Sequence, residues 1–272
     1  MSLALSRSGL RTTFCALLLA AGPLLGADAA GRVTVRFIDG RPVVDGVFVS
    51  GHGPYRFLVD TATTSNHIEP ALARSIGLKA TFRSELTTSL SVVPVLGCDG
   101  IEVALGPARA DGQTFLPAGM ETVHRLSANI QGILGQNFLS RFDYLLDVHG
   151  SRLEFGASAA NAKGMRVQFR SQNGRAVVAT SLGELAVDSG VNQVMLFGVA
   201  AKEMVARLFT LAGSGDVGMV SGRRLQIQGR TFWWGEAVAV PNPAETEIAG
   251  LLPVSVFRRV YISNSDGYVI FE

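Results

Sequence analysis

One short landmark occurs twice in this chain, and each copy closes an apolar run. Asp60-Thr61-Ala62 follows Tyr55-Arg56-Phe57-Leu58-Val59, and 128 residues later Asp188-Ser189-Gly190 follows Glu184-Leu185-Ala186-Val187. Both runs read as strands, bounded upstream by Gly53-Pro54 and by Gly183. A carboxylate at the end of a buried strand is costly unless it is put to use. Two of them, one from each half of a chain, are what a paired-carboxylate site needs.

The repetition extends beyond the triplets. Gly132-Ile133-Leu134-Gly135 begins 72 residues after Asp60, and Gly250-Leu251-Leu252-Pro253 begins 62 residues after Asp188. Each is followed by an aromatic-bearing segment, 137–142 or 255–260, and then by a closing strand, Ser151 to Phe155 or Tyr268 to Phe271. Landmarks recurring in one order predict a duplicated architecture. A lone Asp-Thr-Gly-like triplet is common by chance, whereas the ordered pair of half-chains is specific.

From about residue 32 to 272 the pattern resembles the retropepsin and pepsin clan of aspartic proteases, in particular the bacterial retropepsin-like group with both lobes in one chain. The resemblance implies an all-β fold of two lobes with short helices, divided as an N-terminal lobe over 30–155, a linker over 156–164 and a C-terminal lobe over 165–272. It implies catalytic Asp60 and Asp188, with Thr61, Ala62 and Thr63 and then Ser189 and Gly190 forming the turns around them. Ile133, Leu134 and Gly135 match the first supporting segment, and Leu251 and Leu252 the second. Two positions depart from the pattern: Ala62 adds a methyl where the family has glycine, and Pro253 replaces a glycine and removes an N–H donor.

The implied reaction is endopeptidase cleavage, with an extended polypeptide as substrate and no cofactor or metal. Two adjacent carboxylates cannot both ionise cheaply, so the pair shares a proton. The ionised member takes a proton from water and the protonated one donates to the scissile carbonyl. Thr63 can donate to a carboxylate and Val191 cannot, so Asp60 is expected to favour the charged state and Asp188 the proton. Thr61 and Ser189 are expected to bond across the lobe interface. An exported peptide-binding protein that no longer cuts is the alternative.

The N-terminus carries Arg7 and Arg11, an apolar stretch from Phe14 to Leu25, and Ala27-Asp28-Ala29. This predicts a signal peptide over 1–29 and a periplasmic or secreted protein. The apolar stretch is short of the roughly 20 residues that cross a bilayer, so no membrane attachment is expected of the mature form. Cutting after Ala29 leaves 22 basic and 21 acidic residues of the original 24 and 22, a balance that argues against a nucleic-acid partner. Cys98 is then the sole cysteine, and is expected to be a structural thiol. Because both triplets are in one chain, a monomer is expected.

Strands are predicted at Val33 to Phe37, Val43 to Ser50, Tyr55 to Val59, Val92 to Leu96, Gly100 to Leu105 and Tyr144 to Val148, with a turn at Val95 to Gly100. In the second half they are predicted at Arg224 to Gln228, Phe232 to Val240 and Tyr268 to Phe271. Glu69 to Gly77 reads as a short helix, and Val199 to Leu208 as another. The stretch from Phe82 to Val93 falls where the clan has its flap, or is an ordinary surface hairpin. Ala212 to Gly218 offers a mobile loop over the cleft. Gly213, Gly215 and Gly218 also fit a dinucleotide fingerprint, but no helix follows. The four histidines lack zinc-site spacing, and no G-x-S-x-G is present. Trp233-Trp234 is expected to alternate between core and cleft, with packing as the main role and a substrate subsite as the alternative.

Overall fold

The computed structural model describes residues 31–156, 162–201, 204–240 and 247–272. The expected signal peptide at 1–29, and 157–161 of the expected linker, lie outside the described residues. The first half contains β1 (Gly31–Ile38), β2 (Arg41–Val49), β3 (His52–Val59), β4 (Asn66–Ile68), β5 (Phe82–Thr87), β6 (Val92–Leu105), β7 (Ala108–Pro117), β8 (Gly132–Leu134), β9 (Tyr144–Asp147) and β10 (Arg152–Phe155). Its helices are α1 (Pro70–Ser75), α2 (Glu121–His124) and α3 (Gln136–Leu139). The second half contains β11 (Met165–Gln168), β12 (Arg170–Gln172), β13 (Arg175–Thr180), β14 (Gly183–Asp188), β15 (Met195–Phe197), β16 (Met204–Thr210), β17 (Gly213–Ile227), β18 (Arg230–Val240), β19 (Gly250–Pro253), β20 (Arg259–Ser263) and β21 (Tyr268–Phe271). The fold is all-β.

In the first half the strands lie in the order β1-β2-β3-β8-β4-β7-β6-β5, and in the second β12-β13-β14-β19-β15-β18-β17-β16. The two orders correspond strand for strand. Each places a parallel pair at its centre, β3 with β8 and β14 with β19, flanked by an antiparallel neighbour, β4 or β15. The remaining strands join the halves: β11-β21-β20-β9-β10-β1 runs as one ribbon, with β20 of the second half paired to β9 of the first. That pairing leaves neither closing hairpin with a free inner edge. Val35, Leu146, Leu153, Val260 and Phe271 share one buried cluster with the cores of both halves.

Local sequence explains the hairpins that start each half. β1 alternates Val33 and Val35 inward with Thr34 and Arg36 outward. It turns into β2 through Asp39 (φ 49) and Gly40 (φ 75), and β12 turns into β13 through Asn173 (φ 52) and Gly174 (φ 81). Asx-Gly is the pair that a two-residue hairpin with positive φ at both positions favours. The same turn is followed by Arg41-Pro42-Val43-Val44 in one half and by Arg175-Ala176-Val177-Val178 in the other.

Three expectations are corrected. Val199 to Leu208 holds no helix among its described residues: β16 begins at Met204 and pairs antiparallel with β17 from Thr210↔Gly213 onward. Leu208-Phe209-Thr210 suits a pleated, half-buried surface, and the sheet edge offered by β17 outweighs weak helical propensity. The segment from Val95 to Gly100 does not end a strand, because β6 runs unbroken from Val92 to Leu105 and absorbs the glycine as a register shift between Cys98 and Ile101. Ala212 to Gly218 is no open loop but a hairpin turn and the start of β17. Cys98 is a buried free thiol.

The hairpin of β5 and β6 meets that of β16 and β17. Ser91 Oγ donates to the Ala212 carbonyl at 2.9 Å, and Thr210 Oγ1 to Thr88 Oγ1 at 3.2 Å. At Gly215 a Cβ would stand 3.3 Å from Leu90 Cδ2, so the missing side chain lets the two hairpins close on one another. No helix among the described residues is long and apolar enough to cross a membrane.

Candidate active site

Each triplet sits at the end of a central parallel strand. β3 is in register with β8 through Leu58↔Ile133 and Val59↔Leu134, and the Asp60 N–H donates to the Leu134 carbonyl at 2.9 Å. β14 is in register with β19 through Ala186↔Leu251, Val187↔Leu252 and Asp188↔Pro253. The apolar segments singled out in the sequence are thus the strands that flank the two aspartates.

The two turns grip each other by a reciprocal set of hydrogen bonds. The Thr61 N–H donates to Ser189 Oγ at 3.1 Å and the Ser189 N–H to Thr61 Oγ1 at 3.0 Å. Thr61 Oγ1 then donates to the Val187 carbonyl at 2.8 Å, and Ser189 Oγ to that of Val59 at 2.6 Å. Both side chains are fully buried. Each hydroxyl therefore uses a donor and an acceptor across the interface, which fixes the turns relative to each other. Arg41 adds a second tie from the first half: its Nε donates to the Gly190 carbonyl at 2.8 Å and its Nη2 to Asn192 Oδ1 at 3.3 Å. Asp39 completes this cluster, accepting from Arg41 Nη1 at 2.6 Å and from Asn192 Nδ2 at 2.7 Å.

The carboxylates themselves differ. Asp60 is half-buried and accepts three donors: the Ala62 and Thr63 N–H groups reach Oδ1 at 2.9 and 3.0 Å, and Thr63 Oγ1 reaches Oδ2 at 2.7 Å. Asp188 is buried, and its Oδ1 accepts the Gly190 N–H at 2.6 Å. Burial, and next the charge of Asp60, hold the Asp188 carboxyl well above the usual carboxylate range, against the lowering pull of the Gly190 N–H and Arg41. At Gly190 the turns leave no room for a side chain, since a Cβ built there would lie 2.4 Å from Asp60 Oδ2.

The two departures from the family pattern have different structural settings. Ala62 is not at positive φ, keeps its N–H on Asp60, and lays its methyl against the second-half cluster of Val177, Ala186 and Ile248. Pro253 lacks the N–H that Gly135 donates to Asn66 Oδ1 at 3.0 Å in the first half. The residue matching Asn66 in the second half is Val194, by the 128-residue offset of the triplets. Donor and acceptor are absent together, so no buried polar group is orphaned.

Several polar residues around the site were not singled out in the sequence. Gln136 Nε2 donates to the Thr61 carbonyl at 2.6 Å from beneath the first turn. Tyr144 is fully buried nearby, and burial raises its phenol pKa. Asn66 is buried and bridges to Gln113 Oε1 at 3.2 Å. Arg175, the repeat counterpart of Arg41, is held below its ordinary pKa by burial, against the raising pull of Asp188 and Asp60. The recurring Asx-Gly-Arg-x-Val-Val is the signal that could have revealed both arginines. Gln136 and Tyr144 follow no repeated pattern.

Residues 44–138 match a family model described as aspartyl protease, over a span that includes Asp60, its turn and β8. A retropepsin-like aspartic protease from Rickettsia conorii, solved by crystallography, is similar at 20% identity over 46% of this chain and 90% of that one, with a TM-score of 0.35. No curated protein matches. The aspartyl protease match thus falls on the segment that carries the first aspartate turn and the strand beside it.

Proposed function

We propose that this chain is an aspartic endopeptidase whose Asp60 and Asp188 form one water-activating site from two duplicated lobes. The observation that carries this reading is the mutual grip of Thr61 and Ser189, which holds the two aspartate turns together at Gly190. Asp60, with three donors on its oxygens, is the ionised member, and Asp188, with its raised pKa, holds the proton. A water between them loses a proton to Asp60 as its oxygen adds to the scissile carbonyl carbon, and Asp188 gives its proton to the carbonyl oxygen. Collapse of the resulting diol returns a proton to Asp188, transfers the proton held by Asp60 to the amide nitrogen and breaks the C–N bond.

The substrate is a polypeptide lying extended beneath the two hairpins, where main-chain groups can pair with their strands. The protein acts as a monomer after export and loss of residues 1–29. Cleavage of a mixed peptide library by the exported protein, from about pH 3 to pH 8 so as to span both ionisations of the dyad, tests this. Asp60→Asn and Asp188→Asn are each expected to lower the rate by at least about a hundredfold. Undiminished cleavage by either variant would remove that aspartate from the chemistry.

A further inference from the structure

Beside the second turn is a cavity of about 260 Å³ whose lining includes Asn192, Val194, Met219, Trp233, Glu236 and Pro253. It adjoins the dyad: Asn192 is four residues beyond Asp188 in sequence, and Pro253 is the register partner of Asp188 on the next strand. The volume is below the roughly 300 Å³ at which sites for whole small molecules begin, and suits one side chain of a larger ligand.

The residues that line the cavity all come from the second half, and the strand register shows which first-half residues take the equivalent places. His67 pairs with Leu116 in the first half and Met195 with Val238 in the second. With His67 and Met195 equivalent by the triplet offset, Asn66 corresponds to Val194, Gln113 to Gly235, and Thr114 to Glu236. In the first half the Asn66 and Gln113 side chains reach each other and are fully buried. In the second their counterparts are a valine and a glycine. The Trp233 ring lies over the vacated position, since a Cβ at Gly235 would be 3.2 Å from Trp233 Cζ2. The threonine that becomes Glu236 uses its hydroxyl on Asp99 at 2.9 Å in the first half.

Glu236 brings a negative charge to a recess that Asn192 and Gln193 also line. One of its oxygens accepts from Ser221 Oγ at 2.9 Å, and no ion pair engages it among the described residues. Asn192, also on the lining, is fixed by Asp39 and Arg41. Val194, Met219 and Trp233 on the same lining as a carboxylate match a side chain with a long methylene stem and a cationic tip, and an indole favours the same charge.

We infer that this cavity is a substrate subsite for a lysine or arginine side chain, with the stem against Val194, Met219 and Trp233 and the charge at Glu236. The inference deepens the reading of the chain as a peptide-cleaving enzyme and rests on it for the nature of the ligand. The test is affinity selection of a random peptide library on the full exported protein carrying Asp188→Asn, alone and combined with Glu236→Gln or Glu236→Lys. Lysine and arginine should be enriched about fivefold at one position, the enrichment should vanish with Glu236→Gln, and acidic residues should replace them with Glu236→Lys. No basic enrichment, or one that survives Glu236→Gln, overturns the subsite. Glu236 is exposed, and melting curves establish that the variants remain folded. Cleavage by the wild-type protein is scored separately. Basic enrichment without cleavage keeps the subsite and removes hydrolysis, whereas cleavage without basic enrichment does the reverse.

Discussion

The two aspartate turns share a backbone plan and differ in what surrounds the carboxyl group. Asp60 is half-exposed and has a hydroxyl and two N–H groups on its oxygens. Asp188 is buried and has valine where the first turn has Thr63. One turn offers its carboxyl a hydroxyl donor and the other buries it, so a near-symmetric pair of strands gives the two carboxyls unequal surroundings. The third triplet position is unequal in the opposite sense. Ala62 has room for its methyl against the partner half, while Gly190 has Asp60 Oδ2 where a methyl would go. Symmetric topology with unequal side chains is a simple way to give two identical residue types different protonation states.

The comparison is broken most severely at Gly190. Gly190→Ala should lower peptide cleavage by about a hundredfold or more, because the methyl must push the Asp60 carboxylate away and small misplacements are that costly. Ala62→Gly should leave the rate within about threefold, the added backbone freedom being its main effect. Equal losses in steady-state assays of the two variants would refute the packing difference.

Next in size is the grip itself. Thr61→Val and Ser189→Ala each leave buried partners unsatisfied, and each should cost about 2–4 kcal/mol in urea unfolding. Their double variant should cost less than the sum, since the two side chains share partners. Strict additivity would mean that the halves are held together elsewhere.

The pH dependence of stability sharpens the electrostatic side. The folded-state pKa of Asp188 is raised above the ordinary 3.8. Its contribution is full below that value and is lost as pH rises through the raised pKa. His67 has the opposite sign: burial lowers its pKa from 6.5 to about 4, so its contribution is full above 6.5 and is lost as pH falls through about 4. Asp188→Asn should therefore raise Tm relative to wild type by an increment that grows with pH. An increment independent of pH would show that Asp188 is not the titrating group.

The smallest effect is expected at Pro253. Pro253→Gly should change stability by less than about 1 kcal/mol in the same unfolding assay, through chain entropy. The restored N–H faces the half that has Val194 instead of Asn66, so no new hydrogen bond offsets the added freedom. A marked stabilisation would indicate an acceptor that the fold does not provide.

Much of the site was legible because it is written in local pattern. Strand-ending aspartates, Gly-bounded apolar segments and the hydroxyls of Thr61 and Ser189 are short-range signals, and each lands beside its expected neighbour. The helix expected at Val199 to Leu208 and the turn expected at Val95 to Gly100 failed for one reason. The edge of a neighbouring strand, β17 for the first segment and β5 and β7 for the second, outweighs the small differences in local propensity that such segments carry. Gln136 was missed because nothing nearby in sequence marks a residue that acts from beneath a turn, whereas Arg175 is marked by a repeat that went unread.

The sequence alone determined two aspartates on β-strand ends, two supporting apolar segments, and the unequal residues Thr63 and Val191, because these depend on residue type and spacing. Only the tertiary structure decided that Ala62 has space and Gly190 has none, that Pro253 and Val194 are a matched absence, and that Val194 and Gly235 open a cavity beside Glu236. Each of those is a distance between residues far apart in the chain. Such distances are set by how two sheets pack, and no local pattern encodes them.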